Sequence, residues 1–310
     1  MNRNGTGPAP AAVVSGASTG IGEACALRLD GMGWRVFAGV RRPEDGDALR
    51  AKASSRLTPV MIDVTDQGSI DSARDRIAAD VGEAGLAGLV NNAGVGFGGP
   101  LEFLALDDLR RQLEVNVVGQ VAVAQAFLPL LRKNTGRIVN IGSIGGRVTT
   151  PFMGPYCASK HAMEAITDAM RMELAPWKMH VAVIEPGSIA TPIWDKARAT
   201  VERLDAELPA KAHQYYEPAL TALSKAIDDA AKRGIPPDNV AKAVAHALTA
   251  RRPKTRYLVG NDARMQALAS TLLPDRMFDG LVRRIFGLPS DPPPPPADAE
   301  EAERVATAVD

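Results

Sequence analysis

The sequence predicts an α/β fold built on a doubly wound parallel sheet, and three observations predict it. Short apolar, β-branched runs alternate with longer stretches of helical periodicity over residues 11–260. Two of those runs, AAVVS (11–15) and HVAVIE (180–185), show almost no polar alternation, as strands buried on both faces do. A glycine-rich turn, SGASTGIG (15–22), overlaps the end of the first run and opens the first helical stretch.

In chain order, strands are expected over 11–15, 34–39, 57–62, 86–91, 137–143, 180–185 and 256–259. Helices are expected over 20–31, 69–81, 107–133, 155–178 and 239–250. In the fourth helix Met163, Ile166, Met170 and Leu174 recur at helical spacing and give one apolar face. With short connections, this succession makes a three-layer α/β/α sandwich that binds ligands at the carboxyl ends of its strands. Residues 188–236 form a mostly helical insertion between the sixth and seventh strands, and we read it as a substrate lid.

Residues 261–289 form a C-terminal extension of one or two amphipathic helices. Leu273, Met277, Leu281 and Ile285 line its apolar face beside Arg283 and Arg284. That face has three open roles: packing on the domain, covering a pocket, or lying on a membrane surface. Packing is the reading taken. The polar segment 1–10 is expected to be flexible, and the proline run and charged stretch of 290–310 to be disordered.

Composition narrows the function. The 310 residues are 45% apolar and 23% charged, a globular balance, with 36 basic against 36 acidic side chains. That cancellation argues against a nucleic-acid binder. Cys25 and Cys157 are far apart in helical segments, so a disulfide framework is not expected and a reducing compartment fits. No group of three or more Cys and His stands at metal-ligand spacing, so no metal site is expected. With no signal-peptide core and no apolar run of about 20 residues, the expected location is cytoplasmic, without a transmembrane segment.

Gly16, Gly20 and Gly22 space the first turn. Glycine allows positive φ and close backbone approach, and the helix that follows offers free N–H groups to a pyrophosphate. The candidate contacts there are Gly16, Ser18, Thr19, Gly20, Ile21 and Gly22. The bland alternative, a tight strand-to-helix turn, is outweighed by its place after the first strand. Dinucleotide folds that take NAD often end the second strand near an acidic residue. Here Arg41 and Arg42 stand there, and an arginine suits a ribose 2′-phosphate. NADP(H) is therefore favoured over NAD(H), although Glu44 and Asp45 dilute the local field. Asp63 and Val64 end the third strand, and Asn92, Ala93 and Gly94 belong to the NNAG that ends the fourth. Such residues are either turn formers or the lining of an adenosine crevice.

Tyr156 and Lys160 lie four apart in PYCASKHAMEA, on one helix face. A neighbouring ammonium lowers a phenol's pKa towards working pH and makes it an acid/base. Ser143, thirteen residues earlier at a strand end, has a hydroxyl that can support a developing alkoxide. Asn116 sits among apolar neighbours in VNVVGQV, where Asn and the nearby Gly119 weaken a helix, so a local break is expected.

Together these residues resemble the short-chain dehydrogenase/reductase family over residues 11–260. The matching pieces are SGASTGIG, Asp63–Val64, NNAG, Asn116, Ser143, YCASK and EPGSIATP (185–192). The resemblance implies one Rossmann-like domain with a seven-stranded sheet and a catalytic tetrad of Asn116, Ser143, Tyr156 and Lys160. By resemblance Tyr156 is the acid/base, Lys160 bonds the nicotinamide ribose, Ser143 orients the substrate oxygen, and Asn116 holds a relay water. Pro186, Gly187 and Thr191 match contacts at the nicotinamide end, and the Ile189 backbone matches the holder of the carboxamide. The wording VFAGVRRPED and VNVVGQVAVAQAFLPLLR resembles the hydroxysteroid and retinol dehydrogenase-like branch. In NADP-using members the residues matching Thr19 and Arg41 meet the 2′-phosphate. Thr19 is not basic here, which leaves NAD open. A homo-oligomer is expected by resemblance alone.

The expected substrate is a small lipophilic alcohol or ketone, held by Ser143 and Tyr156 with Val95, Phe97, Val148, Phe152, Met153 and Trp194. Two other functions compete: a non-catalytic dinucleotide-binding regulator, and a sugar-nucleotide epimerase or dehydratase. The intact tetrad argues against the first. The absence of a GxxGxxG turn and of a large C-terminal substrate domain argues against the second.

Overall fold

The computed structural model describes residues 8–286 and residue 288. The expected tail of 290–310 and residues 1–7 of the expected flexible N-terminus lie outside the described residues. Seven strands form one parallel sheet: β1 (Ala11–Val14), β2 (Arg35–Val40), β3 (Leu57–Met61), β4 (Gly88–Asn91), β5 (Arg137–Ile141), β6 (Val181–Pro186) and β7 (Arg256–Val259). Their order is β3-β2-β1-β4-β5-β6-β7. All seven expected strands are present, with ends that differ by one or two residues. The order reverses between β1 and β4, which opens a crevice at their carboxyl ends.

Both faces of the sheet are covered, which explains the missing polar alternation. Ala12 and Val14 of β1 face one core, with Leu29, Val244 and Leu248. Ala11 and Val13 face the other, with Ile77, Phe127 and Leu131. Each large side chain so buried contributes about 1.5–3 kcal/mol. On the first face lie α1 (Gly20–Gly31) and α9 (Asp238–Thr249); on the second, α3 (Gln67–Val81) and α5 (Gly119–Lys133). Asp66 caps α3, its carboxylate accepting from the Gly68 and Ser69 N–H groups at 2.8 and 3.3 Å.

Three departures from expectation have physical reasons. A short helix, α2 (Pro43–Arg50), follows β2. Its sequence PEDGDALR carries a central Gly and buries only Gly46 and Leu49, too little apolar surface to show a period. The single helix expected over 107–133 is three pieces: α4 (Leu106–Leu113), a π turn over Glu114–Val118, and α5. In that turn the Gly119 N–H reaches the Glu114 carbonyl, five residues back. This is the break expected at Asn116. Leu106–Lys133 is also, by length and composition, long and apolar enough to cross a bilayer, contrary to the expectation that no stretch would be. Buried Gln112, Asn116 and Gln120 bond to the backbone of residues 93–97, so this stretch packs as part of the α/β layer.

Beyond α6 (Gly154–Glu173), the 188–236 insertion folds as α7 (Ile193–Glu207) and α8 (Ala210–Arg233). The extension forms two helices, α10 (Asn261–Leu272) and α11 (Asp275–Ile285). Ala263 and Ala267 of α10 pack in a small core with Ile144 and Val148.

Candidate active site

The glycine turn is built by close approach. Gly16 and Gly20 have φ of 61° and 62°. A Cβ on Gly16 would lie 2.8 Å from the Ala93 Cα, and one on Gly20 would lie 3.1 Å from Thr191. A Cβ on Gly22 would collide with the Gly16 carbonyl and with Asn92. Asn92 donates to the Ser15 and Gly16 carbonyls at 3.1 and 2.9 Å. The Ser15 hydroxyl in turn accepts from the Asn92 and Ala93 N–H groups. The side chain of Asn92 thus braces the turn instead of lining the crevice. Ser18, Thr19 and Ile21 stand at the mouth of α1. Thr19, its N-cap, makes no side-chain cap bond, so the first N–H groups of the helix are left to a ligand.

On the adenosine side, Asp63 Oδ1 accepts from the Thr65 N–H and hydroxyl at 2.9 and 2.7 Å. Burial works to raise the Asp63 pKa, but the Thr65 bonds, with Arg41 and Arg111, hold it below the usual value. Arg41 is exposed. Arg42 is paired with Asp45 at 2.9 Å and is not a free cation for a phosphate. Val64 packs under the start of α5, where a Cβ on Gly119 would lie 2.6 Å from its carbonyl oxygen.

Tyr156 and Ser143 stand side by side: a Cβ on Gly145 would lie 3.2 Å from Tyr156 Cε1 and 3.4 Å from Ser143 Oγ, and Ser143 Oγ accepts from the Gly145 N–H at 3.0 Å. Lys160 is buried and donates to the Ile141 carbonyl at 2.9 Å, with Nζ 5.7 Å from the centroid of the Tyr156 ring. Desolvation draws its pKa down to about 8 against the pull of Glu164. Burial pushes the Tyr156 pKa above the ordinary value, against the lowering effect of the Ser143 hydroxyl. The YxxxK spacing predicts the opposite direction. An ammonium held by Ile141 does not offset the desolvation of the phenolate.

Asn116 is fully buried. Its Oδ1 accepts from the Val95 N–H at 2.8 Å, and its Nδ2 donates to the Val95 carbonyl at 2.9 Å and to Ser159 Oγ at 3.0 Å. Ser159 passes the bond on to the Tyr156 carbonyl at 2.7 Å. Both amide hydrogens are therefore committed to protein, and the side chain has none left for the relay water that the resemblance implies. Gln112, one turn earlier, holds the Phe97 N–H at 2.7 Å and the Val95 carbonyl at 2.6 Å. Sequence reasoning missed Gln112 and Ser159. The four-residue spacing of Gln112 and Asn116 was the available signal.

Of the expected pocket residues, Val95 and Phe97 lie on the segment 95–99, which meets the segment that carries Phe152 and Met153. A Cβ on Gly96, between Val95 and Phe97, would lie 3.8 Å from the Tyr156 ring. Phe152 has φ of 65°, and its carbonyl accepts from the Gly99 N–H at 2.6 Å. The Met153 sulfur lies against Gly98. Val148 and Trp194 are held elsewhere by contacts of their own, one in a core and one on the loop after β6. Val148 is core, 3% exposed beneath α10. Trp194 donates to the Ile189 carbonyl at 2.7 Å and ties down the loop after β6. Tyr216 of α8 was not anticipated; it meets Phe152 and Phe103 edge to face at 6.1 and 6.0 Å.

The nicotinamide-end residues follow Pro186, the last residue of β6. Asp262 accepts from the Ser188 N–H at 2.7 Å, and its carboxylate fills the space where a Cβ on Gly187 would stand. The Ile189 side chain is core and its carbonyl accepts from Trp194, so its N–H is the group left to a ligand. Thr191 closes on Gly20. Asp262 was also missed, since it comes from the extension, 74 residues away.

These residues fit a dinucleotide. The three glycines of the turn have no room for a side chain, the first turn of α1 is uncapped, and Lys160 has three hydrogens but one acceptor for them among the described residues, the Ile141 carbonyl.

Comparison with known proteins agrees. The family model for short chain dehydrogenases matches residues 10–202. An NADPH-dependent 3-dehydrocapnine reductase from Ornithobacterium rhinotracheale is 40% identical over 86% of this chain and 94% of its own length. Human retinol dehydrogenase 5 is 38% identical over 89% of each chain. The crystal structure of a short chain dehydrogenase/reductase from Burkholderia phymatum, solved in complex with NAD, matches with a TM-score of 0.72 at 25% identity, covering 88% of this chain and 95% of that one. The chain belongs to the short-chain dehydrogenase family, the nicotinamide-dependent oxidoreductases that act on CH–OH groups.

Proposed function

We propose that the protein transfers a hydride between NADP(H) and the carbonyl or secondary alcohol carbon of a lipophilic substrate, with Tyr156 as acid/base. The observation that carries this reading is the placing of Ser143 Oγ and the Tyr156 ring together about Gly145, with the buried Lys160 Nζ 5.7 Å from the ring centroid. When bound, the cofactor supplies or accepts the hydride. Ser143 orients the substrate oxygen, and Tyr156 delivers its proton to that oxygen in reduction or takes it in oxidation. Burial keeps the phenol protonated at neutral pH, the form that reduction needs. Lys160, fixed by Ile141, has two hydrogens left for ribose hydroxyls.

NADP(H) is supported by the exposed Arg41 and by the NADPH named for one relative. A lipophilic substrate is supported by Val95, Phe97, Phe152, Met153 and the added Tyr216, and by the retinol in another relative's name. The experiment is nicotinamide absorbance during turnover, with NADPH and NADH in turn, against long-chain, retinoid and steroid carbonyls. Turnover faster with NADPH and with the apolar substrates supports the reading. A preference for NADH or for small polar carbonyls contradicts it.

A homo-oligomer is supported by Val118 and Met172, 51% and 66% exposed on the π turn and on α6; sedimentation checks it. Exposed Met265, Leu268 and Leu272 on α10, with Met277, Leu281 and Ile285 on α11, support peripheral membrane contact. Liposome flotation that leaves the whole chain in solution contradicts that contact. Cys25 and Cys157, buried and unpaired, support a cytoplasmic setting.

A further inference from the structure

One helical turn beyond Lys160 on α6, the chain buries charges that the proposed reaction does not use. Glu164 is 12% exposed and Glu185 of β6 fully buried. A single nitrogen, Arg256 Nε of β7, contacts both: 3.1 Å to Glu164 Oε2 and 3.5 Å to Glu185 Oε1. The same guanidinium is also engaged by Asp168 at 2.6 Å, and Asp168 pairs in turn with Arg171. Arg147, after β5, meets Glu185 Oε1 at 2.9 Å. The remaining oxygens, Glu164 Oε1 and Glu185 Oε2, are buried without a hydrogen-bond partner among the described residues.

Glycine holds Glu164 in this place. A Cβ on Gly146 would lie 2.9 Å from the Lys160 carbonyl oxygen and 3.1 Å from Glu164 Cγ, and one on Gly142 would lie 3.4 Å from Glu164 Oε1. The side chain is pressed between the end of β5 and its own helix. An ionised carboxylate oxygen buried without a donor is costly. Two carboxylates at one guanidinium nitrogen also repel each other. One proton relieves the repulsion and removes one of the two buried charges.

We propose that Glu164 and Glu185 share one buried proton, and that this pair is a positioning element that keeps Lys160 charged. Three cations (Lys160, Arg147 and Arg256) and three carboxylates (Glu164, Glu185 and Asp168) face one another here. Burial, then the Glu185 charge, pushes Glu164 up to about 7, while Lys160 is drawn down to about 8. As Glu164 loses its proton, the charge that appears one turn from Lys160 favours its ammonium form. The second half of this inference rests on the role proposed for Lys160.

The test uses the full chain as wild type, Glu164→Gln and Glu185→Gln. Infrared titration from pH 5 to 9 reads buried protonated carboxyls without turnover. The wild type shows one that is lost near the middle of that range; its midpoint falls in Glu185→Gln, where the repulsion is gone. Lysine side-chain NMR then reads Lys160, whose midpoint falls by about one pH unit in Glu164→Gln. The alkaline limb of kcat/KM falls with it and does not fall in Glu185→Gln. Absence of a protonated carboxyl in the wild type, or an unmoved Lys160 midpoint in folded Glu164→Gln, overturns the proposal. Should Glu164→Gln not fold, the Glu185→Gln midpoint decides. If the catalytic reading fails, Tyr156→Phe keeps its turnover while the carboxyl signal stays, so the two failures are separate.

Discussion

Asn116 grips Val95 on both sides of its Cα, accepting from its N–H at 2.8 Å and donating to its carbonyl at 2.9 Å. The pair joins the π turn to the segment that follows β4, so the wall beside Tyr156 is held by a helix irregularity.

Asn116→Ala leaves the Val95 N–H without its partner and removes the bond to Ser159. The expected cost is about 2–4 kcal/mol of unfolding free energy, with kcat down at least roughly tenfold as Tyr156 loses its support. Urea unfolding and steady-state kinetics check both. Unchanged kcat in the folded variant contradicts the clamp.

Lys160 carries a stability penalty in the cofactor-free protein. Its folded pKa of about 8 lies below its ordinary 10.5. Between those values the unfolded chain binds more protons, so this group's contribution to stability rises with pH across that window and is least favourable below about 8. Lys160→Met is expected to stabilise the cofactor-free protein by roughly 1–3 kcal/mol at pH 7, with a smaller gain at pH 10 and loss of turnover. Unfolding curves at the two pH values check the sign.

Asp262 reaches from the extension to the nicotinamide-end loop. Asp262→Ala frees the Ser188 N–H and opens the space at Gly187. A charge-assisted bond of about 1.5–3 kcal/mol translates into a cofactor KM raised by roughly tenfold or more, with kcat changed less. An unchanged KM contradicts the positioning role.

Arg41→Ala tests the 2′-phosphate argument. KM for NADPH is expected to rise roughly tenfold while KM for NADH stays within about twofold, as measured by initial rates with each cofactor. Equal effects on both cofactors contradict it.

The sheet was legible because burial on both faces leaves apolar runs that periodicity detects, as at Ala11–Val14 and Val181–Pro186. The break at Asn116 was legible because Asn and Gly are poor helix formers among apolar neighbours. The polar partners were not. Ser159, Gln112 and Asp262 are ordinary residues until folding sets them against Tyr156, Val95 and Ser188. Nor does spacing show which apolar residues near a site are core: Val148 faces α10, and Phe152 faces Tyr216. The direction of the Tyr156 shift depends on burial of the phenol, which a YxxxK spacing does not contain.

The most direct test of the account is NADPH oxidation by Tyr156→Phe beside the wild type, on whichever carbonyl the wild type reduces, with cofactor binding followed in parallel. The account predicts a fall in kcat of about 10²–10⁴-fold with NADPH still bound and the melting temperature close to that of the wild type. Turnover within a few-fold of wild type would contradict it and leave the proton to another group.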